Sequence, residues 1–134
     1  MIIRNEADLV KYLVGRCKSI ERLENSAKGG TPDTMIPTHS GWHWFELKVI
    51  HGNELIFQNT QMAFFVRNRR LARYLWAYVL AAKHMTDEAV MLTVDEVLAL
   101  PKRPYAKGKT AVRLPDGQRY TRLCTLIDNL ALYN

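Results

Sequence analysis

Two carboxylates and a lysine are the residues of this chain best placed to do chemistry. Asp33 follows Gly29-Gly30-Thr31-Pro32, and Glu46 and Lys48 stand thirteen and fifteen positions later, inside the apolar stretch Trp42 to Ile50. Carboxylate and ammonium groups are costly to bury in a strand unless they pair or hold a cation. Asp33, Glu46 and the backbone carbonyl of Leu47 together supply the hard oxygen donors that Mg²⁺ takes, with waters and a phosphate completing an octahedron. Lys48 then borders the metal-bound water.

The elements that must position these groups are legible as local patterns. Asn5 precedes an apolar periodicity of Leu9, Val10, Leu13 and Val14, which predicts a capped amphipathic helix to about Ser19. The glycines at 29 and 30 mark a loop, and Thr34 to Ile36 reads as a short strand ending at Pro37. After a turn over Thr38 to Gly41, Trp42 to Ile50 is the strongest strand. Its alternation puts Trp42, Trp44, Glu46 and Lys48 on one face and His43, Phe45, Leu47 and Val49 on the other. The turn between the two strands brings Asp33 close to Glu46.

Further along, Asn59 or Thr60 caps a helix through Arg73 with Gln61, Phe64, Phe65, Asn68 and Leu71 on one face. Leu75 to Ala82 is apolar on both alternations, as an inner strand is. Ala89 to Leu92 reads as a strand, and Thr93 with Glu96 forms a capping box for a short helix stopping at Pro101. From Thr110, an alternating stretch, the turn Pro115-Asp116-Gly117 and a second stretch to Arg122 predict a hairpin before a closing helix, about Cys124 to Leu132. The sum is one α/β domain over residues 1–134, a mixed β-sheet flanked by helices.

Composition and charge narrow the function classes. The chain has 134 residues, 48% apolar and 24% charged, enough for one domain with a real core and no disulfide staples. Cys17 and Cys124 lie in apolar helical patterns without CxxC spacing and read as buried thiols. His39 and His43 straddle a turn and a strand, so their spacing is not that of a helical zinc site. No apolar run approaches the ~20 residues of a membrane span, and the start lacks the blocks of a signal peptide, so a cytoplasmic protein is expected. Nineteen Lys and Arg against thirteen Asp and Glu give +6, and residues 101–134 carry seven bases against two acids. That balance favours a polyanion such as nucleic acid. Lys107, Lys109, Arg113 and Arg119 in the last third, and Arg67, Arg70 and Arg73 at three-residue spacing on a helix, are the candidate phosphate contacts.

Pro32-Asp33 followed by Glu46-Leu47-Lys48 resembles the PD-(D/E)xK signature of the nuclease superfamily that includes many restriction enzymes and Holliday junction resolvases. The approach Arg22 to Asp33 is similar to that in small phage-type VRR-NUC (virus-type replication-repair nuclease) proteins. The resemblance covers about residues 1–95 and leaves 101–134 as a basic extension. It implies a restriction-endonuclease-like core and a Mg²⁺- or Mn²⁺-dependent endonuclease. Asp33, Glu46 and the Leu47 carbonyl would hold the metal, and Lys48 would orient water or stabilise phosphate charge. It also implies an acid in the first helix, Glu6, acting on the metal through water, with Glu24 the alternative, and a glutamine after the lysine strand, Gln61. A Glu6 in a first helical turn also simply favours the helix dipole. The implied substrate is DNA, with branched DNA such as a four-way junction favoured, and two cuts on one junction would call for a homodimer. The rival readings are a nicking or sequence-specific phage endonuclease and a nucleic-acid-binding protein that keeps the fold without catalysis.

Overall fold

The structure, a computed structural model, describes residues 1–17, 21–22, 34–38, 41–70 and 77–130. Asn5 caps α1 (Glu6–Arg16), its side chain accepting the Asp8 amide at 2.9 Å. The helix was expected to reach Ser19 but stops at Arg16. Cys17 turns to extended geometry, drops its side chain into the core, and closes the last turn by donating its N–H to the Leu13 carbonyl at 2.7 Å.

The main sheet holds β1 (Glu21–Arg22), β2 (Thr34–Thr38), β3 (Gly41–Ile50), β5 (Ala77–Lys83), β6 (Glu88–Thr93) and β9 (Thr121–Arg122), in the order β1-β2-β3-β5-β6-β9. Among the described strands of this sheet, only β3 and β5 pair in parallel. The crossover that a parallel pair needs carries β4 (Glu54–Gln58) and α2 (Asn59–Arg67). The inner position expected for the apolar stretch to Ala82 is what β5 occupies, with Val79, Leu80, Ala81 and Ala82 all fully buried. Thr93 and Glu96 form the reciprocal capping box of α3 (Val94–Ala99), both bonds at 3.1 Å.

A second sheet departs from expectation. No hairpin forms around Pro115-Asp116-Gly117. Instead β8 (Lys109–Arg113) pairs back with β7 (Lys102–Tyr105) around a turn whose Gly108 has φ 77°, and forward with β4, giving the order β4-β8-β7. The apolar side chains decide this: Leu55 and Phe57 of β4 and Val112 of β8 are fully buried, a gain that a solvent-side hairpin over 110–122 would forgo. Pro115 to Gln118 is only a turn, closed by a 3.0 Å bond, and it redirects the chain to β9. β4 itself follows β3 through Gly52-Asn53, the φ of 62° at Gly52 suiting a tight two-residue hairpin.

Three layers result. Against one face of the main sheet, α1 and α4 (Leu123–Leu130) bury Leu9, Leu13, Leu123 and Ile127 on Phe45, Leu47 and Leu80. Against the other, α2, α3 and the second sheet bury Met62, Phe65, Val97, Phe57 and Val112 on Ile50, Val79 and Ala81. The basic last third is thus woven into both cores. Cys17 is buried and Cys124, one residue inside α4, half-buried; both are free thiols. No described helix is long and apolar enough to cross a membrane.

Candidate active site

β3 is covered on both sides, and its pleat sends Trp44, Glu46 and Lys48 toward α2 while Phe45 and Leu47 face α1. This is the phase read from the sequence. Glu46 is 4% exposed, so its carboxylate sits inside the protein and must be satisfied there. Gln61 does so in part: its Nε2 donates to Glu46 Oε2 at 3.0 Å. Lys48 Nζ donates to Gln61 Oε1 at 3.0 Å, lies 3.8 Å from Glu46 Oε2, and sits 4.8 Å from the centre of the Phe57 ring. Carboxylate, amide and ammonium form a closed triangle.

Gln61 reaches this position because of how α2 begins. The N-cap is Gln58, the last residue of β4, rather than Asn59 or Thr60. Gln61 is the third residue of the helix, and its Oε1 accepts the Gln58 N–H at 2.9 Å, the return half of a capping box. Asn59 is engaged elsewhere, its N–H bonding the Gly108 carbonyl at 2.9 Å and its Oδ1 accepting from the Thr110 hydroxyl at 2.7 Å. With two donors on Oε1 and a carboxylate on Nε2, the amide has one orientation that satisfies every partner. One side chain therefore starts the helix and links the site's acid to its base.

The other expected site residues are distributed as follows. Asp33, Glu24 and Arg73 lie outside the described residues. β2 begins at Thr34, which pairs with Phe45, the neighbour of Glu46. Leu47 pairs with Leu80 in the parallel ladder, its side chain in the opposite core. Glu6 is exposed in the first turn of α1, whose Leu9 and Leu13 pack on the face of β3 away from Glu46, and it is not part of the triangle. The helix expected to run through Arg73 is interrupted at Asn68: both the Asn68 N–H and its side-chain amide donate to the Phe64 carbonyl, so α2 ends at Arg67, and Arg69 and Arg70 are helical again where the described residues stop. Arg67 and Arg70 are exposed on either side of Asn68.

In the last third, Lys107 stands in the β7–β8 turn, Lys109 opens β8, Arg113 closes it, and Arg119 follows the Pro115 turn; all four are exposed. Arg113 lies 3.3 Å from Asp116. Arg103 holds Glu54 through two bonds of 2.6 and 2.8 Å and keeps the Glu54 carboxyl below its ordinary range. Burial, by contrast, raises the Cys17 thiol and the Tyr78 hydroxyl. The sequence reading passed over Tyr105, Gln58 and the contact of Asn59 with the hairpin. The alternation of Leu55 and Phe57, and a glycine at 108 between two β-prone runs, were the available signals.

As donors for a cation, the described residues offer the buried Glu46 carboxylate and the Leu47 carbonyl, hard oxygens of the kind Mg²⁺ takes. Among the described residues, no group of three or more His, Cys, Asp or Glu gathers at one point. Neither the known protein families nor the curated proteins contain a match to this chain.

Proposed function

We propose that this protein is a Mg²⁺- or Mn²⁺-dependent endonuclease that hydrolyses DNA phosphodiester bonds, with branched DNA such as a four-way junction as its preferred substrate. The observation that carries the reading is the Glu46–Gln61–Lys48 triangle. An acid and a base are held inside an α/β core where two apolar residues would pack at lower cost, and a glutamine singled out by the nuclease resemblance connects them. In this reading Asp33, Glu46 and the Leu47 carbonyl would hold the ion. When bound, the ion polarises the scissile phosphate and lowers the pKa of a coordinated water. Lys48 would orient the attacking water and offset charge developing on the phosphate. Gln61 fixes both side chains. Phosphate contacts from Lys107, Lys109, Arg113 and Arg119 and from Arg67, Arg70 and Arg73 position the backbone without reading sequence. Two cuts on one junction are supplied by a homodimer.

The test is a gel comparing linear, nicked, flapped and four-way DNA with and without Mg²⁺. Cleavage that needs the metal and favours the four-way form is expected. Nicking of linear duplex alone would favour the simpler nicking endonuclease, and binding without cleavage would favour an inactive nucleic-acid-binding protein.

A further inference from the structure

The basic residues of the last third are not equivalent. Arg103, Arg113 and Arg122 face Glu54, Asp116 and Asp87, and Lys102 Nζ bonds the Leu98 and Leu100 carbonyls at the end of α3. Lys107 and Lys109 make no ion pair among the described residues, and both are exposed at the hairpin tip. Their charge is available to a partner. Beside them stands Tyr105, an aromatic ring with 42% of its surface in solvent.

The register makes these residues a row. Tyr105 opposes Lys109 across β7 and β8, and Lys109 opposes Gln58 across β8 and β4. Residues directly opposite in a ladder share a face, and Leu55, Phe57 and Val112 fill the core from the alternate positions. The row therefore runs along the outer face and ends at Gln58, whose N–H is bonded to Gln61 of the triangle. The hairpin tip is anchored there by the bonds from Asn59 N–H to Gly108 and from Thr110 to Asn59. Tyr105 is also stacked in place. The Arg103 guanidinium, held by both oxygens of Glu54, lies 5.5 Å from the ring centre.

We infer that Tyr105, Lys107 and Lys109 form a docking row for single-stranded nucleic acid, the tyrosine stacking on an unpaired base and the lysines holding the adjoining phosphates. Stacking on an aromatic ring beside a positive groove is how proteins hold single strands without sequence preference. Two strand spacings separate Tyr105 from Gln58, about 9.5 Å, or roughly three nucleotides at ~3.4 Å each along a strand. Occupying the row takes an unpaired stretch of about that length, which narrows the branched-DNA reading and rests on it for any cleavage.

Binding is measured by fluorescence anisotropy with labelled twelve-nucleotide oligothymidylate and with a duplex of the same length, in EDTA so that no cleavage contributes. Tyr105→Ala should weaken oligothymidylate binding by roughly 5- to 150-fold and duplex binding far less, whereas Tyr105→Phe should bind as the native chain does. Lys109→Gln should lower the single-strand salt slope by about 0.7. The row is overturned if the native chain does not bind oligothymidylate at micromolar concentration, if Tyr105→Ala binds it within about twofold of native, or if both probes weaken equally. A separate cleavage assay with Mg²⁺ keeps the two readings apart. Native binding lost in Tyr105→Ala, with no cleavage of any DNA, removes the nuclease and leaves the row. Cleavage of branched DNA with no Tyr105 effect does the reverse.

Discussion

The two faces of β3 are built from alternate residues of one strand and solve opposite problems. Toward α1 and α4, Phe45 and Leu47 are fully buried among aliphatic neighbours and contribute stability by leaving water. Toward α2, the same strand presents Glu46 and Lys48, whose side chains are 5% and 14% exposed, and needs Gln61 to offset their desolvation. A fold gains little from the second face that leucines would not give it. The difference sets a face that packs as core against one that holds a charged pair, and under the proposed function substitutions on the two should separate in the same way.

The largest effect on folding belongs to the apolar face. Leu47→Ala should cost about 2–5 kcal/mol in a denaturant melt, while the surviving folded fraction keeps its metal-dependent cleavage. Lys48→Met, next along the strand and on the other face, should cut kcat of the folded fraction by roughly 10²–10³-fold, and its melt should fall as well because the buried Glu46 carboxylate loses its cation. Gln61→Leu belongs to both columns. Loss of its bonds to Glu46 and Lys48 should reduce activity by about 10- to 100-fold, the usual cost of losing a residue that orients the working groups. Loss of the bond to the Gln58 N–H should cost about 1 kcal/mol as a weakened helix start. A Gln61→Leu chain that lost stability but no activity would demote the triangle to a helix-capping device.

The smallest effect lies at the surface. Arg103 holds the Glu54 carboxyl below its ordinary value of 4.5, so this pair's contribution to stability is complete above that pH and is lost as pH falls below it. Arg103→Leu should therefore shrink the acid-side loss in a pH series of melts. The neutral-pH midpoint should fall by that same amount, a small one because exposed pairs contribute little, while the midpoint at low pH should stay as it is. An equal midpoint shift at every pH would show the guanidinium acting through its packing on Tyr105 instead.

How much of this was legible depends on whether a feature is local. The Asn5 cap, the Thr93–Glu96 box and the alternation of β3 each lie within a few residues, and the structure has all three. The same alternation placed Glu46 and Lys48 on one face. The pairing of β8 was not local: Lys109 to Arg113 alternates well enough to pair with either side, and Leu55 and Phe57, more than fifty residues earlier, determine its partner. With that pairing hidden, the row from Tyr105 to Gln58 could not be read either. Gln61 stood out only through the family resemblance, because a glutamine at a helix start has many ordinary uses. The stop of α1 at Cys17 was equally hidden, since a cysteine that turns into the core has the same sequence pattern as one that continues a helix.

Glu46→Gln is the substitution that divides the two faces most cleanly, because it removes the charge while keeping the shape and an oxygen for Gln61. Native and Glu46→Gln chains, compared on four-way DNA with and without Mg²⁺ and in parallel denaturant melts, provide the most direct measurement. The account predicts metal-dependent cleavage by the native chain, a loss of at least about 100-fold in the variant, and unfolding free energies within about 1.5 kcal/mol of each other. Cleavage retained by Glu46→Gln, or a variant destabilised by about 3–5 kcal/mol as a purely structural buried ion pair would be, would contradict it.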